Sequence, residues 1–381
     1  MPLFDKPLTT LKEADLAALI SDRESEGKTL DYKRDLVGRT DEAKKEFLYD
    51  VTSFANTSGG DLIFGMDEDA GIPITLNGIP GIDADAEVLR LQQMVRDGVR
   101  PAIIGLQTWP VPLSNGNIAV VLRIPKSWNP PHQVTYQKAF RFYARASNGK
   151  YQLDVDELRQ IFALSAAATE RLKHFRVDRI AKIVAREVPV ALEAGPLMVL
   201  HVLPLGAFAG GSQADLHRVW RASDLLVGVL GSGGTPMFNA DGLILESAQS
   251  YVQVFRDGCI EVVGGWSIET ANRRSLPGDR LERDVIAQVS GAQRLLQEAA
   301  TTPPLVLALA LTGMKGWSIA SIGGTSRGRF DRDPILNAEM VVQEFKPPQH
   351  ELKTLFDAVW NAAGSPNSPN YDSQGRRLQN R

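Results

Sequence analysis

The first residues with chemical potential are charged side chains on and just before a short strand near the start of the chain. Glu26 precedes Asp31 by five positions, and Gly27 permits the chain to turn between them. Lys33 follows Asp31 by two positions, so a strand would place these two side chains on the same face. A carboxylate for a divalent cation, beside an ammonium for the charge of a reacting phosphate, is typical of metal-dependent phosphodiester hydrolysis.

A third carboxylate follows the next expected strand, which covers Leu62 to Met66 and leads directly into Asp67. Two strands joined by one helix can bring Glu26, Asp31 and Asp67 into one pocket. Clustered carboxylates repel one another, and a bound cation offsets that repulsion. The competing interpretation is a half-exposed strand whose charged face is solvated and binds no metal.

The elements that position these residues form a strand–helix–strand unit. Leu30 and Tyr32 alternate with charged residues, which indicates a strand with one apolar face. The following helix begins near Asp41, and its apolar residues have helical spacing: Phe47, Leu48, Val51, Phe54 and Ala55. Asn56 to Gly60 has the residue types of a helix C-cap and a tight turn. We favour that interpretation over a phosphate-binding loop, because local turn chemistry explains every residue.

The whole chain predicts an α+β protein with two domains. Residues 1–165 form the first domain, with strands and flanking helices, and residues 166–187 form a basic helical connector. Residues 188–363 form a second α+β domain, in which Asp257-Gly258 indicates a hairpin. Residues 364–381 are rich in Ser, Pro, Asn and Gln and are expected to form a disordered tail.

Composition excludes several classes of protein. Cys259 is the only cysteine, so intrachain disulfides and cysteine-based zinc sites are excluded, and we expect a reducing, cytoplasmic location. No apolar run reaches the roughly 18 residues of a membrane span, and the N-terminus lacks the pattern of a secretory signal. No Gly-x4-Gly-Lys-Ser/Thr motif occurs, so ATP is not an expected cofactor. The net charge of −3 neither supports nor forbids nucleic-acid binding.

Four motifs of the first domain occur together in a characteristic order: Glu26-x4-Asp31-Tyr32-Lys33, Phe54-Ala55-Asn56-Thr57-x-Gly59-Gly60, Gly65-Met66-Asp67 and Phe142-Tyr143-x-Arg145. This part of the chain resembles the Schlafen AlbA_2 domain. The resemblance implies a small α+β domain with a mixed sheet that binds nucleic acid. In animal Schlafens, two such lobes form a horseshoe that cleaves structured RNA with a divalent metal.

The resemblance also implies roles for individual residues. Glu26, Asp31 and Asp67 would hold Mg²⁺ or Mn²⁺, with Asp69 as the alternative third ligand, and Lys33 would be catalytic. Asp31 stands where the family often has Glu, which shortens the reach to a metal by one methylene. Only one such lobe is present, so a horseshoe would require a homodimer or a higher oligomer.

Basic residues suggest where nucleic acid would bind. On family grounds, Arg145 beside Tyr143 would contact a phosphate. The connector carries Arg171, Lys173 and Arg176 among few acids, so it could follow a phosphate backbone. It could equally be a solvated helix between domains.

The sequence therefore predicts a nucleic-acid-binding protein with no membrane partner, and RNA is favoured over DNA as its ligand. The finer prediction is a divalent-metal-dependent endoribonuclease that acts on substrates resembling tRNA or rRNA. By family analogy, such an enzyme would suit phage defence or a stress response. The alternative is a non-catalytic, DNA- or RNA-binding transcriptional regulator or an interaction module.

Overall fold

A computed structural model of the chain describes residues 6–192, 195–209, 213–227, 235–247, 250–265, 274–301, 303–321, 324–325, 328–336, 339–372 and 374–378. Helices and sheets occur throughout these ranges, which confirms the expected α+β class. The chain divides into two compact units, Met1–Glu170 and Arg171–Arg381.

The first unit contains helices α1 (Glu13–Ser21), α2 (Asp41–Ala55) and α3 (Ala84–Gly98), and the beginning of α4 (Val155–Val184). Short 3₁₀ turns lie at Leu8–Thr10 and Tyr136–Lys138. Its strands are β1 (Leu30–Lys33), β2 (Gly60–Phe64), β3 (Met66–Asp69), β4 (Ile72–Leu76), β5 (Val99–Arg100), β6 (Gln107–Pro112), β7 (Ile118–Ile124), β8 (Gln133–Val134), β9 (Arg141–Ala146) and β10 (Gly149–Gln152).

The strands of the first unit form a mixed sheet in the order β1-β2-β7-β6, in which β1 and β2 are parallel and the other pairs are antiparallel. An antiparallel sheet has the order β10-β9-β8-β5, and β3 pairs with β4. The predicted strand over 62–66 is therefore two strands. Gly65 separates them with φ +91°, and a Cβ there would lie 2.8 Å from Gly78 Cα.

The mixed sheet is covered on both faces, and its side chains alternate between two apolar cores. Leu62 and Phe64 of β2 belong to the core that α2 and α3 supply, whereas Ile63 belongs to the core that α1 supplies. Leu30 and Tyr32 of β1 also belong to the α1 core. Because side chains alternate along a strand, Asp31 and Lys33 lie on the opposite face.

The second unit contains α5 (Leu205–Phe208), α6 (Leu216–Arg221), α7 (Asp224–Val227), α8 (Gly278–Glu298) and α9 (Lys353–Ala362). Its strands are β11 (Leu197–Pro204), β12 (Pro236–Phe238), β13 (Gly242–Ser247), β14 (Ser250–Phe255), β15 (Ile260–Gly265), β16 (Ser275–Pro277), β17 (Leu305–Thr312), β18 (Ser318–Ser321), β19 (Gly324–Thr325), β20 (Ile335–Leu336) and β21 (Met340–Val342). An antiparallel sheet runs β12-β13-β14-β15-β11-β17-β20, with β21 also on β17, and α8 packs into its core.

The predicted connector over 166–187 lies largely inside a single helix, because α4 runs without a break from Val155 to Val184. The division between the two units falls within this helix, after Glu170. In the part of the chain that the structure describes, no helix combines the length and the apolar character needed to cross a membrane.

Part of the C-terminal segment that was predicted as a disordered tail makes defined contacts. Ser368 and Tyr371 are buried, and Ser368 Oγ donates to Glu282 Oε1 at 2.6 Å. The Ser368 backbone N–H donates to Asp357 Oδ1 at 2.9 Å, and the Tyr371 ring lies 6.2 Å from that of Phe356. Residues 364–372 and 374–378 are therefore structured, because α8 and α9 supply partners that local composition does not reveal. Residues 373 and 379–381 lie outside the described residues.

Candidate functional site

A cavity of about 390 Å³ lies in the first unit where β1, α2, the β3–β4 turn and the β9–β10 hairpin meet. It brings together four residues that the sequence singled out, Glu26, Asp31, Lys33 and Arg145. Their chemical roles stay predictions. The full lining consists of Glu26, Gly27, Asp31, Lys33, Asp50, Ala70, Gly71, Arg145, Ser147, Asn148, Gly149 and Lys150.

Asp31 is the buried carboxylate at the centre of this cavity, with 5% of its surface exposed. Arg145 Nη2 donates to its Oδ1 at 2.5 Å, and Lys33 Nζ lies 2.5 Å from its Oδ2. Among the described residues, no group donates a hydrogen bond of normal geometry to this buried Oδ2. The Lys33 ammonium is therefore paired with this oxygen by charge, and a ligand in the cavity could supply the aligned donor that it lacks.

Glu26 lies at the edge of the same cavity and is half-buried. Its Oε1 accepts from the Tyr32 backbone N–H at 2.7 Å, and its own N–H donates to the Gly71 carbonyl at 2.7 Å. Burial raises the pKa of Glu26 and the negative charge of Asp31 adds to this, although the Tyr32 N–H opposes it. A carboxylate with a raised pKa is a better proton acceptor than an ordinary one, which suits a general base.

Two cavity residues, Asp50 on α2 and Lys150 on β10, were missed by the sequence interpretation. Lys150 Nζ donates to Asp50 Oδ1 at 2.8 Å, and Lys33 Nζ lies 3.9 Å from Asp50 Oδ2. Burial alone lowers the pKa of each lysine, but the neighbouring carboxylates, Asp50 foremost, raise it above the ordinary value. One sequence feature could have identified Asp50: it is a carboxylate within the apolar part of α2, next to Val51 and two positions after Leu48, both of which are buried.

Arg145 is fixed in place by the Phe54-Ala55-Asn56-Thr57 motif at the end of α2. Its guanidinium lies over the Phe54 ring at 4.3 Å, and its backbone N–H donates to Thr57 Oγ1 at 2.9 Å. Asn56 Nδ2 donates to the Tyr143 carbonyl at 2.8 Å, which ties β9 to the same helix end. The motif at the end of α2 and the Phe142-Tyr143-x-Arg145 motif of β9 are therefore in direct contact.

Arg145 is buried in this arrangement but still lines the cavity, so its contact with a phosphate stays a prediction. It is 4% exposed, and its Nε donates to the Gly27 carbonyl at 2.7 Å. Gly59 supports the same turn with φ +72°, and a Cβ there would lie 2.5 Å from Lys126 N. The turn interpretation of Asn56 to Gly60 thus accounts for their geometry.

The third predicted metal ligand lies apart from this cavity. Arg34 Nε donates to Asp67 Oδ1 at 2.6 Å, and Asn77 Nδ2 donates to Asp67 Oδ2 at 3.2 Å. Asp69, the alternative, is exposed at the end of β3, and neither residue is part of the cavity lining. The β3 carboxylate nearest the cavity belongs to Glu68, which accepts from the Gly71 N–H and adds to the raised pKa of Glu26.

The cavity residues do not fit a metal site built on three carboxylates. Asp31 and Asp50 already form ion pairs with cations from β1, β9 and β10. Within the described ranges, no group of three or more His, Cys, Asp or Glu side chains is arranged to hold a metal ion. The cavity's formal charges also balance, with Glu26, Asp31 and Asp50 facing Lys33, Arg145 and Lys150.

The remaining predicted nucleic-acid contacts have other neighbours. The Tyr143 ring lies 4.3 Å from that of Tyr49. In the second unit, Arg171 Nε donates to the Phe208 carbonyl at 2.9 Å, and Arg176 Nη1 donates to Glu339 Oε1 at 2.6 Å. Lys173 is exposed on α4. Arg171 and Arg176 therefore make contacts within the second unit, and nucleic-acid binding by these residues stays a prediction.

Comparison with known families agrees with the motifs of the first unit. Residues 26–154 match the family model described as Schlafen, AlbA_2. This confirms the resemblance of these residues to the Schlafen AlbA_2 domain. The matched residues include the cavity lining from Glu26 to Lys150.

Two solved structures have a weak likeness to part of the chain. The DIP2311 protein from Corynebacterium diphtheriae has 16% identity and a TM-score of 0.27, over 39% of this chain and 27% of that chain. The second is the N-terminal domain of a Nitrosomonas europaea protein described as related to the ATP-dependent DNA helicase RecG. It has 18% identity and a TM-score of 0.25, over 38% of this chain and 83% of that chain. At these TM-scores, neither likeness supports a conclusion about fold or function. None of the curated proteins compared with the chain matches it.

Proposed function

We propose that the first unit binds nucleic acid at the charged cavity and cleaves an RNA phosphodiester there. The observation that supports this is the convergence of Glu26, Asp31 and Lys33 in one cavity of the Schlafen AlbA_2 segment. The family's association with nucleic acid supports the ligand class. The raised pKa of Glu26 supports proton transfer as the chemistry.

In this proposal, Glu26 accepts the proton of the attacking oxygen, which belongs to water or to the ribose 2′-hydroxyl. A new phosphorus–oxygen bond forms as the bond to the leaving oxygen breaks, and the leaving oxygen takes a proton from solvent. The ammonium of Lys33 stabilises the charge that develops on the phosphate oxygens. Asp31 orients that ammonium, and Arg145 orients Asp31, through the contacts described above.

The Mg²⁺ or Mn²⁺ requirement remains a separate prediction, because the paired carboxylates do not fit such an ion as they are arranged. The same ion pairing favours a second candidate function, a nucleic-acid-binding regulator without catalysis. In that case the charges would serve only to recognise a phosphate backbone. The two candidates share a ligand and differ in whether the ligand is cut.

The test incubates the purified full chain with labelled tRNA, or with plasmid DNA, in EDTA, Mg²⁺ or Mn²⁺. Glu26→Gln and Asp31→Ala are expected to reduce RNA cleavage by about 10²- to 10⁴-fold. Asp156→Asn, a carboxylate of the same unit whose side chain is 80% exposed, serves as the matched control. If the chain binds RNA but cleaves it under none of these conditions, the nuclease proposal is refuted and the non-catalytic regulator is the better account.

Asp67→Asn separates the sequence-based triad from the observed cavity. If Asp67 is a third metal ligand, this variant should lose cleavage in Mn²⁺ as completely as Asp31→Ala. If the cavity alone is the site, cleavage should persist. Thermal melting with and without Mn²⁺ adds a readout independent of activity, because a bound ion stabilises the folded chain.

Two finer proposals follow from the family resemblance. The first is a homodimer or higher oligomer, which size-exclusion chromatography with light scattering would detect. The second is a role in phage defence or a stress response. For that role, cells that express the wild-type chain should resist phage infection better than cells that express Glu26→Gln.

A further inference from the structure

The cavity contains a chain of alternating charges that extends beyond the residues used above. Asp31 contacts Lys33, Lys33 approaches Asp50, and Asp50 accepts from Lys150. Lys150 Nζ also lies 2.6 Å from Glu46 Oε2 at the outer end. The chain therefore continues from β1 across α2 to the β9–β10 hairpin.

Asp50 is a costly residue for a helix that otherwise supplies the core. It is 5% exposed and lies between the buried residues Leu48 and Val51. Removing a carboxylate from water costs several kcal/mol unless its partners are well placed, and an apolar side chain would serve the core at least as well. Its orientation toward the cavity, rather than toward the core, indicates a contribution to the site.

Lys150 belongs to the same wall of the cavity as Arg145. The two residues are direct partners in the antiparallel pairing of β9 and β10, so both side chains lie on one face of the hairpin. Arg145 is buried against Asp31, whereas 25% of the Lys150 side chain is exposed. Lys150 is therefore the cation of this hairpin that can reach a ligand inside the cavity.

We propose that Lys150 contacts a phosphate of the bound nucleic acid and that Asp50 is a positioning residue for it. Asp50 holds the ammonium groups of Lys150 and Lys33 on one wall, as two adjacent positive centres. This inference rests on the proposed function for its ligand class. It adds a second phosphate contact, supplied by the hairpin, to the residues of the proposed cleavage site.

The experiment measures binding of fluorescein-labelled tRNA by fluorescence anisotropy across a range of salt concentrations. Glu26→Gln is the background, so that cleavage does not intervene. Lys150→Gln is expected to weaken binding by about tenfold and to reduce the salt slope by about one, as the loss of one phosphate contact requires. Lys150→Arg should restore most of the affinity and most of the salt slope, because the positive charge is retained.

Arg141→Gln is the matched control, because it removes one positive charge from the same hairpin. Arg141 is exposed and lies outside the cavity lining. Its Nη1 donates to Gln152 Oε1 at 2.9 Å. Its variant should leave the affinity within about twofold of the background, as expected of a solvated charge. If Lys150→Gln behaves like Arg141→Gln in both affinity and salt slope, the phosphate contact is refuted.

Asp50→Asn tests the positioning role. It should reproduce part of the Lys150→Gln loss, and the two losses should be less than additive in the double variant, because Lys150 is one of the two ammonium groups that Asp50 holds. Additive losses would refute positioning.

If Asp50→Asn fails to fold, kcat and KM of Lys150→Gln in the otherwise wild-type chain test the phosphate contact directly. A phosphate contact predicts a raised KM or a lowered kcat at temperatures well below the melting transition of the variant, where the chain is folded. Failure of the wild-type chain to bind tRNA would refute both the proposed function and this inference, whereas binding unaffected by Lys150→Gln refutes only the inference.

Discussion

Each unit of this molecule buries a carboxylate among cations, but the two clusters differ in how completely their polar atoms are satisfied. In the second unit, Glu261 is 0% exposed and accepts from Arg179 at 2.7 and 2.9 Å, from Tyr251 at 2.8 Å and pairs with His201 at 2.9 Å. Although burial opposes the shift, these hydrogen bonds, first those of Arg179 and His201, lower the pKa of Glu261 to about 2. This cluster is closed and saturated.

The cluster of the first unit is open by comparison. The second oxygen of Asp31 is paired with the Lys33 ammonium by charge rather than by a well-aligned hydrogen bond, and Glu26 has a raised pKa at the edge of a cavity. A saturated ionic cluster joins structural elements and leaves no donor or acceptor for a ligand. An incompletely satisfied one, with space beside it, can exchange protons and bind a charged group. The buried fraction of the carboxylates alone would not distinguish the structural cluster of the second unit from the ligand-binding cluster proposed for the first.

The largest expected effect on stability comes from breaking the saturated cluster. Glu261→Gln leaves the Arg179 guanidinium buried without its counter-ion, so the free energy of unfolding should fall by about 3–5 kcal/mol. Guanidinium denaturation would measure it, and Glu344→Gln, an exposed acid of the same unit, is the control. The RNA cleavage rate below the melting temperature should not change. If Glu261→Gln instead lost cleavage and kept its stability, the cluster of the second unit would be the functional one.

Acid should weaken the saturated cluster in a defined pH range. The pKa of Glu261 is about 2 in the folded chain, compared with 4.5 for an ordinary Glu side chain. Its stabilisation is therefore present above about pH 4.5 and is lost as the pH falls toward about pH 2, which amounts to about 3 kcal/mol. Urea midpoints of wild type and Glu261→Gln, measured between about pH 6 and about pH 3, should converge on the acidic side. A difference that is constant with pH would show that Glu261 titrates normally.

The open cluster predicts a smaller effect of opposite sign. Because the pKa of Glu26 is raised in the folded chain, the folded state holds its proton more tightly, and stability falls as the pH rises through that pKa. Glu26→Gln should therefore raise the melting temperature by a few degrees at mildly alkaline pH. The gain should vanish in acid, where the carboxyl is protonated in both states. Calorimetry at two pH values measures it, and a destabilised variant would mean that Glu26 is structural.

Local sequence patterns predicted the elements around the cavity well. The alternation of Leu30 and Tyr32 with charged neighbours gave β1 and its apolar face, which packs into the α1 core. Asp257-Gly258 predicted the hairpin between β14 and β15, and Gly258 has φ +90° there. These features depend on period and turn chemistry, which lie within a few residues of one another.

The missed features depend on contacts between residues that are far apart in the sequence. Asp50 and Lys150 are separated by 100 residues, so neither reveals the other. Asp67 was assigned to the pocket because it follows a predicted strand, but Gly65 interrupts that strand and Asp67 pairs with Arg34 instead. The tail looked disordered by composition, yet Ser368 meets a buried acceptor on α8.

The contact between Arg145 and Asp31 also sets the order in which the site can be assembled. These residues are separated by 114 positions, whereas β1, α2 and β2 are neighbours in the chain. Contacts between near neighbours form with less loss of chain entropy than distant ones. During synthesis, the sheet can begin to form while Asp31 and Asp50 have only Lys33 between them. The β9–β10 hairpin supplies the other two cations, so a truncated chain that ends before it would retain the acidic wall with Lys33 but without Arg145 and Lys150.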